Sequence, residues 1–170
     1  MCKFIQPSFK LMANNLHYIL KAQKSYKKYY KFLQDDFSPI KNIFNLIEFV
    51  QPYFWIVTDY ENKYMGFVYL DNFVGNGLEN YSAELSTCFD KCAWGNFTKY
   101  SAKIFLKKCF DEFHLTKIKA QIYPENFRIK KLLKDSGFKH EATLKNETKR
   151  LGIAQDIEVY GLYRNYYYKK

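Results

Sequence analysis

Apolar positions in the first third of the chain recur at helical spacing. Phe9, Met12, Leu16, Ile19 and Leu20 keep a three-and-four rhythm, and Tyr26, Tyr29, Tyr30 and Leu33 resume it after a polar break. Ser38 precedes Pro39 as an N-cap precedes a first-turn proline, and Ile40, Ile43, Phe44 and Ile47 form the expected buried stripe of a further helix that Gln51-Pro52 closes. The period then shortens to that of strands. YFWIVTDY (Tyr53 to Tyr60) and YMGFVYLDNF (Tyr64 to Phe73) are aromatic and β-branched, and Glu61-Asn62-Lys63 is short enough to join them as a hairpin. The looser turn VGNGLEN leads to a third strand over 82–90.

From Thr98 the pattern is helical again, with Ala102, Phe105, Leu106, Cys109, Phe110 and Phe113 on one face. TKIKAQIY alternates as a strand with Ile118, Ala120 and Ile122 together. Pro124-Glu125-Asn126 opens a short helix carrying Ile129, Leu132 and Leu133, which stops at Gly137 as a helix stops at a left-handed cap. Two strands follow, over 138–144 and 156–163. The expected fold is α/β (α+β), one domain over 1–170, with a mixed, largely antiparallel sheet flanked by helices. Residues 1–52 are expected to be helical and 53–164 to form the core.

Composition narrows the function classes. The chain has 170 residues and is 48% hydrophobic, ample for a sizeable core. No apolar run approaches a membrane span, and no apolar segment follows the basic residues of 1–10 as in a secretory signal, so a soluble cytoplasmic protein with no membrane partner is expected. Four cysteines and three histidines are too scattered for a metal site, and the thiols are expected reduced. The net charge of +10 comes from dispersed lysines rather than one basic block, so nucleic acid is expected to bind weakly and without sequence preference.

Chemistry is concentrated in AELSTCFDKCAWGNFTKYSAKIFLKKCF, residues 83–110, which reads as strand, short loop and long amphipathic helix. A helix N-terminus offers free N–H groups and partial positive charge, which suits a pyrophosphate. Ala83-Glu84-Leu85, Trp94-Gly95, Phe110, the run Leu115 to Ala120, Asn126, the run Leu132 to Phe138, Glu141, and Gly152 with Asp156 before Tyr160-Gly161-Leu162-Tyr163-Arg164 occur in a specific order. In that order they resemble the GNAT superfamily of N-acetyltransferases, most like its ribosomal-protein N-acetyltransferase-like branch.

The resemblance implies acetyl-CoA as cosubstrate, no metal, and a primary amine as acceptor: a protein N-terminus or lysine, a small amine, or an amino sugar. It implies cofactor contacts from the backbone of Thr87, Cys88 and Phe89, from the loop Trp94, Gly95, Asn96, Phe97 and Thr98, and from Asn126, with Arg128 beside the phosphates. Phe97 stands where the family has a second small residue. Acetyl transfer to an amine requires a base; Glu84 is the first candidate by position and Glu141 the second. Leu133 stands where many members carry a thiolate-protonating tyrosine, which leaves Ser136 and Tyr123 as substitutes. The alternative is a catalytically inactive fold of this type kept as a binding module, possibly for nucleic acid.

Overall fold

The computed structural model describes residues 1–7, 12–76 and 79–169, and side chains from Asn15 onward in the first helix. The expected helix position Phe9 and the turn residues Gly77 and Leu78 lie outside the described residues. The elements run β1 (Cys2–Ile5), α1 (Met12–Leu33), α2 (Ile43–Val50), β2 (Phe54–Asp59), β3 (Tyr64–Gly75), β4 (Asn80–Phe89), α3 (Asn96–Asp111), β5 (Lys117–Ile122), α4 (Phe127–Ser136), β6 (Lys139–Arg150), β7 (Ile153–Tyr163) and α5 (Arg164–Tyr167). One seven-stranded sheet has the order β1-β2-β3-β4-β5-β7-β6. Among the described residues only β4 and β5 pair in parallel.

Alternation of side chains along the strands gives each face its own core. Trp55, Val57, Val68, Leu70, Ile118 and Ala120 face α3, whose Phe105, Leu106, Cys109 and Phe110 are buried against them. Phe54, Ile56, Phe67, Tyr69 and Cys88 face the other way, under Ile19, Ala22 and Tyr26 of α1 and Ile43, Leu46, Ile47 and Val50 of α2. Full burial of such a Phe or Ile contributes about 1.5–3 kcal/mol, so both faces hold the sheet in place. Gly66 marks a close approach of β3 to β4: a Cβ there would stand 2.4 Å from the Cys88 carbonyl oxygen and 2.8 Å from Phe89 Cα.

The sequence pattern and the structure part in four places, one of them the last two strands, which run on to Arg150 and start at Ile153 because the pairs Thr148↔Gln155, Lys149↔Ala154 and Arg150↔Ile153 extend their hairpin beyond the expected 144 and 156. Cys2–Ile5 is an edge strand on β2 rather than part of a helical third, and four residues paired through tertiary hydrogen bonds carry no periodic signal. The second helix starts at Asn42, whose side chain accepts the N–H groups of Phe44 and Asn45; the Ser38 hydroxyl accepts a single local N–H, that of Ile40. Phe44 is therefore exposed, and Ile43, Leu46, Ile47 and Val50 form the stripe. In α1, Leu16 and Leu20 are exposed while Tyr18, Ile19, Ala22 and Tyr26 are buried. Small Ala22 and Ser25 carry one continuous helix through the polar break, and Ser25 donates to Asp90 at 2.9 Å.

Candidate active site

β4 pairs with β5 only at Ser82↔Lys117, Ala83↔Ile118 and Glu84↔Lys119. Beyond Glu84 the strands diverge. Asp90 N–H donates to Met65 C=O at 2.9 Å, and the β3–β4 register is unbroken from Gly66↔Phe89 to Asp71↔Glu84. Alternate residues of a strand turn their backbone groups to opposite neighbours. Cys88, Ser86 and Glu84 thus face β3, while Thr87 and Phe89 present their N–H groups to the gap. The Phe89 carbonyl accepts the Trp94 indole N–H at 3.1 Å, which ties the strand end to the loop before α3.

A cavity of about 500 Å³ fills this gap. Leu85, Thr87, Ser101, Ala102, Phe105, Leu106 and Ile122 line it, with Glu84, Gln121, Asp35 and Glu147 at one end. A second cavity of about 650 Å³ adjoins it, sharing Thr87, Phe89, Asn126, Ile129 and Leu132, and is lined further by Trp94, Gly95, Thr98, Lys99 and Arg128. The two form one groove from the mouth of α3 through the sheet to Glu84.

At the α3 end, Gly95 is the N-cap with φ 99° and ψ −128°, a left-handed conformation that L side chains rarely adopt. It makes no side-chain cap, and the first turn holds no acidic residue, so the amides of Asn96, Phe97 and Thr98 carry the helix's positive end uncompensated. Thr98 Oγ1 is used internally, donating to Ala93 C=O at 2.6 Å. Phe97 turns its ring into the α3-side core, so its bulk leaves the amides clear. The Arg128 guanidinium lies 3.9 Å from the Trp94 ring centroid, and the Tyr29 ring centroid stands 6.4 Å from the same ring. Lys99 pairs with Asp135 of α4 at 3.0 Å, and Lys130 pairs with Glu158 at 2.7 Å. Asn126 is the N-cap of α4 but makes no side-chain cap bond, and it lines both cavities.

These features fit a diphosphate-bearing, extended ligand: free helix-end amides at one end, strand-edge amides in the middle, and a groove long enough to connect them. Trp94, Gly95, Asn96, Phe97 and Thr98 would hold the pyrophosphate, and Thr87, Phe89 and Asn126 the arm of a coenzyme A. Cys88 does not offer its amide to this edge. Its thiol is buried under α1, and burial pushes its pKa up.

At the other end, Glu84 is half-buried, and its Oε2 accepts from Asn72 Nδ2 at 3.2 Å and Gln121 Nε2 at 3.0 Å. A register shift in β3 after Asp71 places Asn72 at φ 46°, and this bulge turns its amide toward Glu84. Asp71, across from Glu84 on β3, is pushed up to about 7 by burial first and the Glu84 charge second, with Lys119 acting against both. Glu141 is not brought to the groove. It sits over Gly161, bound to Lys117 at 2.6 Å. Leu133, Ser136 and Tyr123 all line the cavity; burial raises the Tyr123 pKa, and Arg150 covers its ring at 4.3 Å.

The β6–β7 hairpin and the α1–α2 connection close over this end. Asp36 accepts the N–H groups of Leu151 and Gly152 at 2.9 and 2.8 Å and donates its own to Lys149 C=O, while Thr148 donates to Asp35. Arg150 bonds to Lys31 C=O and pairs with Glu125. Sequence reasoning missed Asp71, Asn72, Gln121 and Asp35. One signal was present: Asp71 continues the phase of Phe67 and Tyr69, which places a carboxyl on a buried strand face.

A family model described as "Acetyltransferase (GNAT) domain" matches residues 13–139, and the chain belongs to this family. It is an acyltransferase of the N-acetyltransferase class. The match takes in α1 and α2 and ends as β6 begins. The fold is similar to a spermidine N-acetyltransferase from Vibrio cholerae solved with CoA and spermine, at TM-score 0.74 and 18% identity over 98% of each chain. It is also similar to a GNAT-family acetyltransferase from Bacillus anthracis, at TM-score 0.71 and 17% identity over 96% of this chain and 95% of that one. No curated protein matches the sequence. Among the described residues no helix is long and apolar enough to cross a membrane, and no three His, Cys, Asp or Glu side chains group as metal ligands.

Proposed function

We propose that the chain, as one GNAT-like domain, transfers the acetyl group of acetyl-CoA to a primary amine, with Glu84 as base. The observation that carries this is the divergence of β4 and β5 beyond Glu84↔Lys119. It opens a groove that joins the α3 amides at one end to a hydrogen-bonded carboxylate at the other. Bound acetyl-CoA supplies the activated acyl group. The amides of Thr87 and Phe89 face the charge that develops on the acyl oxygen, in the manner of an oxyanion hole. Glu84, held by Asn72 and Gln121, takes the proton that a cationic amine must lose before it can attack. The nitrogen then gives up a second proton to the departing sulfur, so Leu133 in place of a tyrosine is no obstacle.

Among the acceptor classes the sequence leaves open, a small cationic amine fits best. The acceptor end carries Asp35, Glu84 and Glu147 in a chain of net charge +10, and the hairpin clasp narrows its entrance. A polypeptide N-terminus would have to part that clasp. The spermine in the complex of the Vibrio cholerae enzyme is a polycationic amine of the kind these carboxylates favour.

The test is calorimetric titration with acetyl-CoA, followed by assay of CoA thiol release against di- and polyamines, amino sugars and short peptides. Saturable binding and turnover of a cationic small amine support the reading. Absence of binding at millimolar acetyl-CoA contradicts it.

A further inference from the structure

Charge draws cationic amines of every kind to the Glu84 end of the groove, but the walls there are apolar. Phe32 and Leu33 at the end of α1, Phe37 in the turn beyond it, Tyr123 after β5 and Ile157 of β7 line the same cavity as Glu84. Phe37 is 68% exposed and Phe32 37%, although both cores of the sheet are built from aromatic rings. The turn sets Phe37 there. Asp35 Oδ1 accepts the Phe37 N–H at 3.0 Å, an Asx turn that fixes carboxylate and ring together, while Asp36 between them accepts the Leu151 and Gly152 N–H groups of the hairpin. A ring held at the cavity mouth in this way lacks apolar burial that a ligand can supply. The carboxylates, in turn, offer fewer free oxygens than their number suggests. Each oxygen of Asp35 already holds a donor, Oδ1 the Phe37 N–H and Oδ2 the Thr148 hydroxyl. Glu84 takes Asn72 and Gln121 on Oε2, which leaves Oε1. Glu147 stands exposed on the hairpin, where it attracts cations through solvent rather than in a desolvated contact.

We propose that the acceptor is a primary amine with a single ammonium on an apolar body, of the arylalkyl or branched-alkyl kind, and that Phe37 is the residue that selects the body. The inference rests on the acetyl-transfer reading above and narrows its acceptor class. The ammonium meets Glu84 Oε1, and the body lies against Phe37, Phe32 and Leu33, where ring contacts add to the apolar area removed from water. A second ammonium on the same molecule finds no such place. The oxygens of Asp35 are in use, and the Arg150 guanidinium lies 4.3 Å from the Tyr123 ring centroid and 6.0 Å from that of Phe32, so a cation already occupies the aromatic faces on that side. A polyamine is thus attracted by the charge of this end but gains less from its walls than an amine with one ammonium and an apolar body.

The test is steady-state release of CoA thiol with phenethylamine, isoamylamine, ethanolamine, putrescine and spermidine, for wild type, Phe37→Ala and Phe37→Leu, with acetyl-CoA affinity measured alongside by calorimetry. In wild type the two apolar amines should exceed ethanolamine and the polyamines about tenfold or more in kcat/KM. Phe37→Ala should shrink that ratio about fivefold, chiefly through KM of the apolar amines, with acetyl-CoA affinity unchanged, and Phe37→Leu should restore most of it. Because Phe37 is exposed, its truncation leaves both cores intact, and thermal unfolding of the variants should match wild type. A ratio that Phe37→Ala leaves unmoved overturns the proposal. So does a preference of about tenfold or more for putrescine or spermidine over the apolar amines. Acetyl-CoA binding without turnover of any amine, or no binding at all, refutes the acetyl-transfer reading itself, and the acceptor assignment falls with it.

Discussion

Replacing Asp71 by Asn should change how stability depends on pH, by an amount the structure sets. Burial and the neighbouring Glu84 raise the Asp71 carboxyl from its ordinary 3.8 to about 7 in the folded protein. Between these values the native state binds the proton more tightly than the unfolded chain, so stability from this group is full below pH 3.8 and is lost as pH rises through about 7. A gap of roughly three units at about 1.4 kcal/mol each gives a change of about 4 kcal/mol. Asn has nearly the same shape and no such titration. Urea unfolding of wild type and Asp71→Asn at several values from about pH 4.5 to about pH 8.5 isolates the effect, because other titrating groups cancel in the difference. With a slope of about 2 kcal/mol/M, the midpoint difference should drift by about 1–2 M across the range, in favour of Asn at high pH. A difference constant to within ~0.5 kcal/mol would refute the assignment of a buried, proton-bearing carboxyl to β3.

Further expectations follow from the groove. Glu84→Gln should lower kcat about 10²- to 10⁴-fold with acetyl-CoA affinity nearly unchanged, read by steady-state kinetics and calorimetry; equal activity would remove Glu84 from the chemistry. Gly66→Ala should cost about 1–3 kcal/mol in thermal or urea unfolding, because its Cβ meets the backbone of Cys88 and Phe89, and it should also weaken acetyl-CoA binding by displacing the open end of β4. Duplex DNA should bind weakly, without sequence preference and with a steep loss on added salt in a gel-shift titration; tight selective binding at physiological salt would favour a nucleic-acid role instead.

What was legible in the sequence was local. The hairpin at Glu61-Asn62-Lys63, the α3 stripe, the alternation of Ile118, Ala120 and Ile122, and the stop at Gly137, with φ 98°, all follow from periodicity or turn chemistry within a few residues. Family resemblance placed the loop from Trp94 to Thr98 at the mouth of α3 and Glu84 on the strand that frays. The rest depends on partners distant in sequence. Ser38-Pro39 looks like a helix start because Ser38 does accept a local N–H, yet Asn42 does so with two and wins the cap. Phe97 reads as an obstruction until its ring is seen in the core. The surroundings of Glu84 come from sheet register and a bulge, and the clasp joins residues 31–36 to residues 148–152. No pattern within one element encodes such pairings.

The most direct test of the groove between β4 and β5 is an amide NMR titration of the protein with acetyl-CoA. The account predicts saturable shifts concentrated at Thr87 and Phe89 on the strand edge and at Asn96, Phe97 and Thr98 at the mouth of α3, with Cys88 and Ser86, which face β3, changing far less. Saturable binding whose shifts cluster elsewhere on the surface, or no shifts at millimolar acetyl-CoA, would contradict it.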